Sequence, residues 1–249
     1  MPDAPHADGA FISFAFPGVS GVRCVFTTAT RGTYGMGYGD AGNSPENTGL
    51  AAANRQALLA SCGLSRWVEL RQVHKDHIVF NPEPTGVNEN SRLEGDGAST
   101  KDRGLALAIK TADCQPILLT DKAGSAVAAL HAGWRGNAMN FPGTGVARFC
   151  EEYGIAPKDV LAVRGPSLGP AAAEFVNFVR EWPEEFTPWF CPPNRTMDLW
   201  GLCRAQLVAA GLEPGNVFSL DLCTFSLPGL FFSHRRGDAG RQVSLIWKE

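Results

Sequence analysis

Apolar residues recur along this chain in short runs of strand-like composition, separated by stretches rich in glycine, proline and polar side chains. VRCVFTT (22–28), β-branched and aromatic, predicts a strand. WVELRQVH (67–74) predicts a second strand that ends on a histidine, with HIVF (77–80) continuing it or pairing with it. LALAIK (105–110) alternates large and small apolar residues, as a packed strand can. TADCQ interrupts that run and PILLT (116–120) resumes it. SAVAALHAGW (125–134) is a further apolar strand running into a turn at Gly133 and Gly136. VLAVR (160–164), followed by a Gly/Pro turn, VFSLDL (217–222) and QVSLIWK (242–248) complete the predicted strands.

Between them the period changes to that of helices. Residues 48–62 place Leu50, Ala53, Ala57 and Leu58 on one face, and Gly63 stops the pattern. Residues 144–152 predict a second helix. Asp198 is placed as the N-cap of a third, through Ala210, with Leu199, Leu202, Cys203 and Leu207 on one side and Gly211 as its stop. Residues 1–15 read as a loose N-terminal segment and RGTYGMGYGDAGNSPEN (31–47) as a long loop, a length that usually serves function or motion. The stretch 181–197, with four prolines and an aromatic face, reads as a loop that is either lid or packing. Strands and helices interleave without internal repeats, so the expected class is α/β or α+β, one domain over residues 16–249.

Composition narrows the partners more than the fold. The chain has 249 residues, 44% hydrophobic, enough for a full core without disulfides. A formal net charge of −3 gives no overall basic character for nucleic acid. No apolar run approaches the roughly 18 residues that span a bilayer, and the first residues lack the features of a signal peptide, so no membrane partner and a cytoplasmic location are expected. Seven cysteines without a CxxC pair are expected to be reduced, most of them small buried hydrophobes. No feature of the sequence sets the oligomeric state.

Three blocks carry candidate chemistry: QVH (72–74), TADC (111–114) and HAGWRG (131–136). Each places a soft or borderline ligand where a strand is expected to end, and rigid strand ends let distant segments converge. His74, Cys114 and His131 are together a plausible ligand set for zinc, with a fourth position left for water or substrate. Water bound there would have its pKa lowered toward about 7. Taken singly, the cysteine reads as a buried small residue and each histidine as a hydrogen-bonded structural group.

These blocks, with TADCQPILL, GPSLGP and CTF…FFSHRR…GRQVSLIW, occur in the same order as in the YfiH family, which the chain resembles from about residue 22 to 248. That family was long labelled laccase-like polyphenol oxidase. Its better-supported description is purine nucleoside phosphorylase with adenosine deaminase activity. The resemblance implies a layered α/β/β/α sandwich with mixed sheets, shared with certain cysteine-dependent bacterial toxins. It also implies that His74, Cys114 and His131 are zinc ligands or catalytic residues, acting on purine nucleosides (adenosine, inosine, methylthioadenosine) and phosphate. A multicopper oxidase needs about ten histidines for its several copper sites, a requirement of that chemistry, and this chain has five. Multicopper chemistry is therefore rejected, although a single copper can compete for a three-ligand site.

The remaining parts of the implied reaction have candidates. Arg235, Arg236 and Arg135 offer planar forks for phosphate, with only one of the adjacent pair expected to face the site. Arg55 matches a family position and is a further phosphate candidate beside its reading as a helix-surface arginine. Asp113 is a candidate proton carrier, or a carboxylate that caps a turn. Phe231, Phe232 and Trp134 are candidates to stack on a base, or to pack in the core. The chain departs from the family at Lys75, where glycine is usual, at AAAEF after GPSLGP, where many members carry cysteine, and at TYGMGYGDAGNS, which lacks the usual Ser-Leu-Asn pattern. A second reading makes Cys114 the nucleophile and His131 its base in a cysteine-dependent amidase or hydrolase editing peptidoglycan precursors. A third is a metal-binding or scaffold protein without catalysis.

Overall fold

In the computed structural model, which describes residues 11–32, 45–87 and 91–249, the apolar runs become the strands of two packed sheets. In chain order the first are β1 (Phe11–Phe14), β2 (Val22–Thr27), β3 (Arg66–Glu69), β4 (Ile78–Phe80), β5 (Gly97–Thr100) and β6 (Leu105–Thr111). There follow β7 (Gln115–Asp121), β8 (Val127–Ala132), β9 (Val160–Arg164), β10 (Phe190–Cys191), β11 (Thr196–Met197), β12 (Val217–Ser219) and β13 (Gln242–Lys248). The helices are α1 (Pro45–Ser61), α2 (Trp134–Ala138), α3 (Phe141–Tyr153), α4 (Phe178–Glu181) and α5 (Leu199–Ala209). One sheet has five strands in the order β1-β2-β13-β6-β3, and the other six in the order β12-β9-β7-β8-β5-β4. Both are mixed: β3 runs parallel to β6, β4 to β5 and β12 to β9, and the other pairs of these sheets are antiparallel.

The alternation within β6 explains the layering. Leu105, Leu107 and Ile109 point into the space between the sheets, where they meet Leu118, Val127, Ala129, Leu161 and Val163 of the opposite sheet. Ala106 and Ala108 point outward and leave room for Leu58 and Leu59 of α1, beside Trp67, Val243 and Leu245. The outer face of the six-stranded sheet, with Ile117, Leu119, Ala128 and Leu130, is covered by Phe141, Val146 and Phe149 of α3 and by Cys203 and Leu207 of α5. The order of layers is helix, sheet, sheet, helix, as the resemblance implied. Central strands buried on both faces read as continuous apolar runs, which is why PILLT and VAAL show no clean polar alternation. No helix among the described residues is long and apolar enough to cross a membrane.

Several expectations change. Residues 11–14 are not loose: β1 pairs with β2 and buries Ile12. HIVF neither continues nor pairs with the WVEL strand, since β3 and β4 lie in different sheets. TADCQ likewise separates two strands of different sheets, β6 and β7. The turn expected at Gly133 and Gly136 is the short helix α2. The stretch 181–197 is not a free lid. It forms a 3-10 helix (Glu184–Trp189) and the β10–β11 hairpin, and its aromatic residues pack with Phe175, Leu199 and Leu202. The helix predicted from 48 begins at Pro45, and Asp198 caps α5 by accepting from the Gly201 N–H at 2.9 Å. Residues 1–10 and most of the glycine-rich loop, 33–44, lie outside the described residues. The seven cysteines form no disulfide; Cys24, Cys150 and Cys203 are buried, whereas Cys191 is exposed.

Candidate active site

The site forms where the chain crosses from one sheet to the other. After β3 the segment Leu70–His74 leaves the five-stranded sheet for β4, and after β6 the turn Ala112–Cys114 does the same on the way to β7. Both crossings need tight backbone, and His74 and Asp113 take positive φ of 58° and 89°, conformations that cost free energy and cluster at functional sites. Gln72 fixes the first crossing to β6: its amide donates to Lys110 O at 2.8 Å and accepts from Lys110 N–H at 2.9 Å. His131 is the penultimate residue of β8. Strand alternation puts it on the inter-sheet side with Val127 and Ala129, opposite Pro116 of β7.

These three side chains converge. The Cys114 Sγ lies 3.9 Å from Nε2 of His74, and the two imidazoles meet edge to face with centroids 4.8 Å apart. One ligand atom from each of His74, Cys114 and His131 falls within 4.8 Å of the others. Gly133 is required for this approach, because a Cβ there would stand 2.9 Å from the Cys114 sulfur and 3.3 Å from Cδ2 of His74.

A buried carboxylate holds the set together. Asp96, wholly shielded from solvent, accepts from the backbone N–H groups of His74 at 2.9 Å, Lys75 at 2.7 Å and Val73 at 3.2 Å. It also accepts from Nδ1 of His131 at 2.8 Å. That bond directs Nε2 of His131 toward the sulfur. A carboxylate behind an imidazole is the usual outer partner of a metal-ligating histidine. Burial works against ionisation of Asp96, but its bonds to His131, Lys75 and His74 prevail and hold its pKa below the usual value.

The same logic governs the reactive pair. Burial opposes formation of the Cys114 thiolate, but the positive charge of His131 and the hydrogen bond from His74 outweigh it, and the thiol pKa falls to about 6. For His131, burial disfavours the imidazolium, whereas the Cys114 thiolate and the Asp96 carboxylate favour it and raise its pKa to about 9. Without metal the pair is a thiolate beside an imidazolium. The residues also fit a metal. Nε2 of His131 is buried and has no hydrogen-bond partner, and it shares the site with a ready thiolate and a second imidazole. Two nitrogens and one sulfur suit zinc or copper.

His74 and Cys114 stand in the wall of a cavity of about 380 Å³, with His131 buried behind them. Trp134, Phe175, Leu168 and Leu199 give it apolar surface, and Arg135, Glu174, Glu181, His234 and Arg235 give it charged and polar groups. Arg135 stacks over Trp134, with its guanidinium carbon 4.3 Å from the ring centre. Arg235 donates to the Glu174 carbonyl at 2.8 Å.

Other predicted residues go elsewhere. Arg236 does not line the cavity; its guanidinium donates to the carbonyls of Thr224, Phe225 and Phe231 and pairs with Asp238, which fixes the C-terminal loop. Arg55 is neither at the cavity nor on a solvated helix surface. It is fully buried against Glu69 at 2.8 Å and lies over the Trp67 ring. Asp113 is in the cavity wall, and its carboxylate accepts from the Thr224 hydroxyl at 2.6 Å, the Ser233 hydroxyl at 3.0 Å and the Arg235 N–H at 2.7 Å. That is the turn-holding alternative, and no bond of it points to proton transfer. Phe231 is buried in the inter-sheet core, and of the three aromatic candidates Trp134 alone lines the cavity.

Sequence reasoning missed Asp96, Gly133, Phe175, Glu174, Glu181 and His234. Asp96 was hidden in EGDG, a run that reads as loop. Its one available signal is an acidic residue directly before a strand of small residues, GAST.

Comparison with known proteins agrees with this fold. The model for the family described as "Multi-copper polyphenol oxidoreductase laccase" matches residues 23–249. A protein of Escherichia coli (strain K12) named "Purine nucleoside phosphorylase YfiH" is 33% identical over 215 residues, covering 83% of each chain. The crystal structure of YlmD from Geobacillus stearothermophilus superposes with a TM-score of 0.81 at 26% identity and 100% coverage of both chains. That of the Bacillus licheniformis hypothetical protein YfiH gives a TM-score of 0.84 at 24% identity, over 98% of this chain and 99% of that one.

Proposed function

From the premise that this chain belongs to the YfiH family, whose model bears the multi-copper oxidoreductase description, we propose that it is a cytoplasmic purine nucleoside phosphorylase that also deaminates adenosine. The observation that carries this reading is the His74–Cys114–His131 trio, whose His74 and Cys114 stand in the wall of a cavity of about 380 Å³ with two guanidiniums beside them. That volume falls in the range of roughly 300–1,000 Å³ for small-molecule sites. Adenosine, inosine and methylthioadenosine are the nucleosides this reading assigns, with phosphate as co-substrate.

The chain's own residues supply the binding steps. Arg135 and Arg235 present planar donor forks to the phosphate oxygens. Trp134 and Phe175 offer aromatic surface to a purine. His74, Cys114 and His131 would hold zinc, or copper in its place, and a metal there would activate water and polarise an oxygen at neutral pH. Asp96 keeps His131 in the tautomer that offers Nε2. The test is turnover of adenosine and inosine, with and without phosphate, on protein of measured zinc and copper content, beside His74→Ala. Phosphate-dependent release of hypoxanthine, lost with the metal in His74→Ala, is expected. Metal-loaded wild type that converts neither nucleoside removes the reading.

One observation favours a second reading. Cys114, His131 and Asp96 stand in the order nucleophile, base and orienting carboxylate of a cysteine hydrolase, with the thiol already acidified. An acyl-thioester trapped on metal-free protein with a peptidoglycan-precursor amide would favour it. Full nucleoside turnover by Cys114→Ser would exclude Cys114 as an obligatory nucleophile.

A further inference from the structure

The FFSHRR segment brings a second histidine to the cavity wall, with His74. His234 lines it beside Arg235, on a turn whose seat is built by the TADC block. The Asp113 carboxylate accepts from the Ser233 hydroxyl at 3.0 Å and from the Arg235 N–H at 2.7 Å, so it grips the chain on both sides of residue 234. The Thr224 hydroxyl donates to its other oxygen at 2.6 Å, and the Gly237 N–H closes the turn onto His234 O at 2.9 Å. Asp113 directly precedes Cys114 and takes a φ of 89°. One strained residue thus ties the position of His234 to that of the sulfur.

Phosphorolysis, on which this inference rests as the proposed reaction, breaks the bond between C1′ and N9 and leaves the electron pair on the purine. The base departs more easily if a proton reaches N7 as that bond breaks. The cavity offers few groups able to supply it. His74, Cys114 and His131 are occupied by one another, by Asp96 and by the fit to a metal. Arg135 and Arg235 are guanidiniums, which do not give up protons in proteins. Asp113 is engaged as an acceptor three times, and Glu174 pairs with Arg195 at 2.8 Å. An imidazole is the side chain whose ordinary titration range spans neutral pH.

We propose that His234 is the general acid of the reaction. Its imidazolium transfers a proton to N7 while the C1′–N9 bond breaks and a phosphate oxygen bonds to C1′. The neutral purine and ribose 1-phosphate leave, and the neutral imidazole recovers the proton that hydrogen phosphate has given up. The role of Asp113 is to position this acid.

The test compares inosine with 7-methylinosine, whose methylated N7 already carries the positive charge that protonation would create. Phosphate-dependent cleavage is measured for wild type, His234→Ala and His234→Gln, with thermal melting as the check on folding. His234 is exposed on a turn, and the glutamine variant retains most of its volume. Loss of the acid is expected to lower kcat on inosine by about 100-fold or more, with little change on 7-methylinosine, since general acid catalysis contributes roughly 10²–10⁴-fold. An equal loss on both substrates makes His234 structural and overturns the proposal, as does unchanged kcat on inosine. If wild type cleaves neither nucleoside, the phosphorylase reading itself fails, a result separate from any behaviour of the variants.

Discussion

Among the described residues Asp96 and Glu69 are the two most deeply buried carboxylates, and they serve opposite ends. Glu69 lies on the outer face of the five-stranded sheet, its oxygens turned to the guanidinium of Arg55 at 2.8 Å and to the ammonium of Lys110. Burial pulls the pKa of Arg55 down and the charge of Glu69 works against that fall. Neither residue borders the cavity of the active site. Asp96 is as deeply buried, but its chain of contacts leads on to the active site. It runs through His131 to an Nε2 without a hydrogen-bond partner, then to a sulfur and an open cavity. Buried charge alone therefore does not mark a site. The mark is where the contacts lead: those of Glu69 end on two cations of the same sheet and helix, and those of Asp96 lead through His131 to a sulfur at a cavity.

The contrast predicts different failures. Cys114→Ala should cost at least about 10³-fold in nucleoside turnover, or about 4 kcal/mol of transition-state stabilisation, while the melting temperature changes little. Turnover within tenfold of wild type would show that the trio is not the reacting centre. Glu69→Ala should do the reverse. It removes the carboxylate that faces the buried Arg55 guanidinium and should lower folding stability by about 3–5 kcal/mol in denaturant titration, with kcat per folded molecule preserved. A loss of kcat without loss of stability would place this ion pair in the catalytic machinery and dissolve the contrast.

Asp96→Asn lies between the two. The amide keeps shape and one acceptor but loses the charge behind His131, so metal affinity should fall by about 10–100-fold in a competition titration. In metal-stripped wild type, alkylation of Cys114 reports the same linkage through pH. The folded thiol pKa is depressed, so thiolate forms as pH rises through about 6, and the ion pair with His131 is lost on going below that pH or above about 9. The alkylation rate should therefore rise with a midpoint near pH 6, well below that of an ordinary thiol. In Asp96→Asn the midpoint should move upward, because the imidazolium loses the carboxylate that favours it. A midpoint unchanged between the two proteins would show that Asp96 acts on backbone geometry alone.

How much of this was legible depended on whether the information was local. LALAI announced its own two faces, because large and small residues at period two are a statement about what lies on either side. QVH, TADC and HAGW were legible as blocks, since each sets a ligand at the end of an apolar run. The sheet to which each run belongs was not legible. HIVF follows WVEL after a few residues, yet the crossover that separates them depends on Asp96 binding three successive backbone N–H groups from more than twenty positions away. Arg55 was unreadable for the same reason. Only the tertiary fold reveals that the helix position facing Glu69 is buried. The prolines of 181–197 left its aromatic face open to either lid or packing, and packing is what the fold uses: Trp182 sits between Phe175 and Phe186, so the segment has a core of its own.

The smallest predicted effect repeats the contrast between neighbours in sequence. Arg235 and Arg236 carry the same charge, and sequence reasoning placed one of them at the site on strand alternation. They sit on a turn, and the separation arises from the hydrogen bonds each makes. The Arg236 guanidinium reaches three backbone carbonyls and Asp238, whereas Arg235 donates to the Glu174 carbonyl and borders the cavity. Arg235→Gln should raise KM for phosphate by about tenfold, the roughly 1.4 kcal/mol of one charge-assisted contact, with kcat and melting temperature nearly constant. Arg236→Gln should leave KM for phosphate within about twofold and lower the melting temperature by several degrees, because the carbonyls of Thr224, Phe225 and Phe231 lose their shared donor. Exchanged behaviour of the two variants would mean that phosphate enters from the Arg236 side and that the cavity has been assigned the wrong mouth.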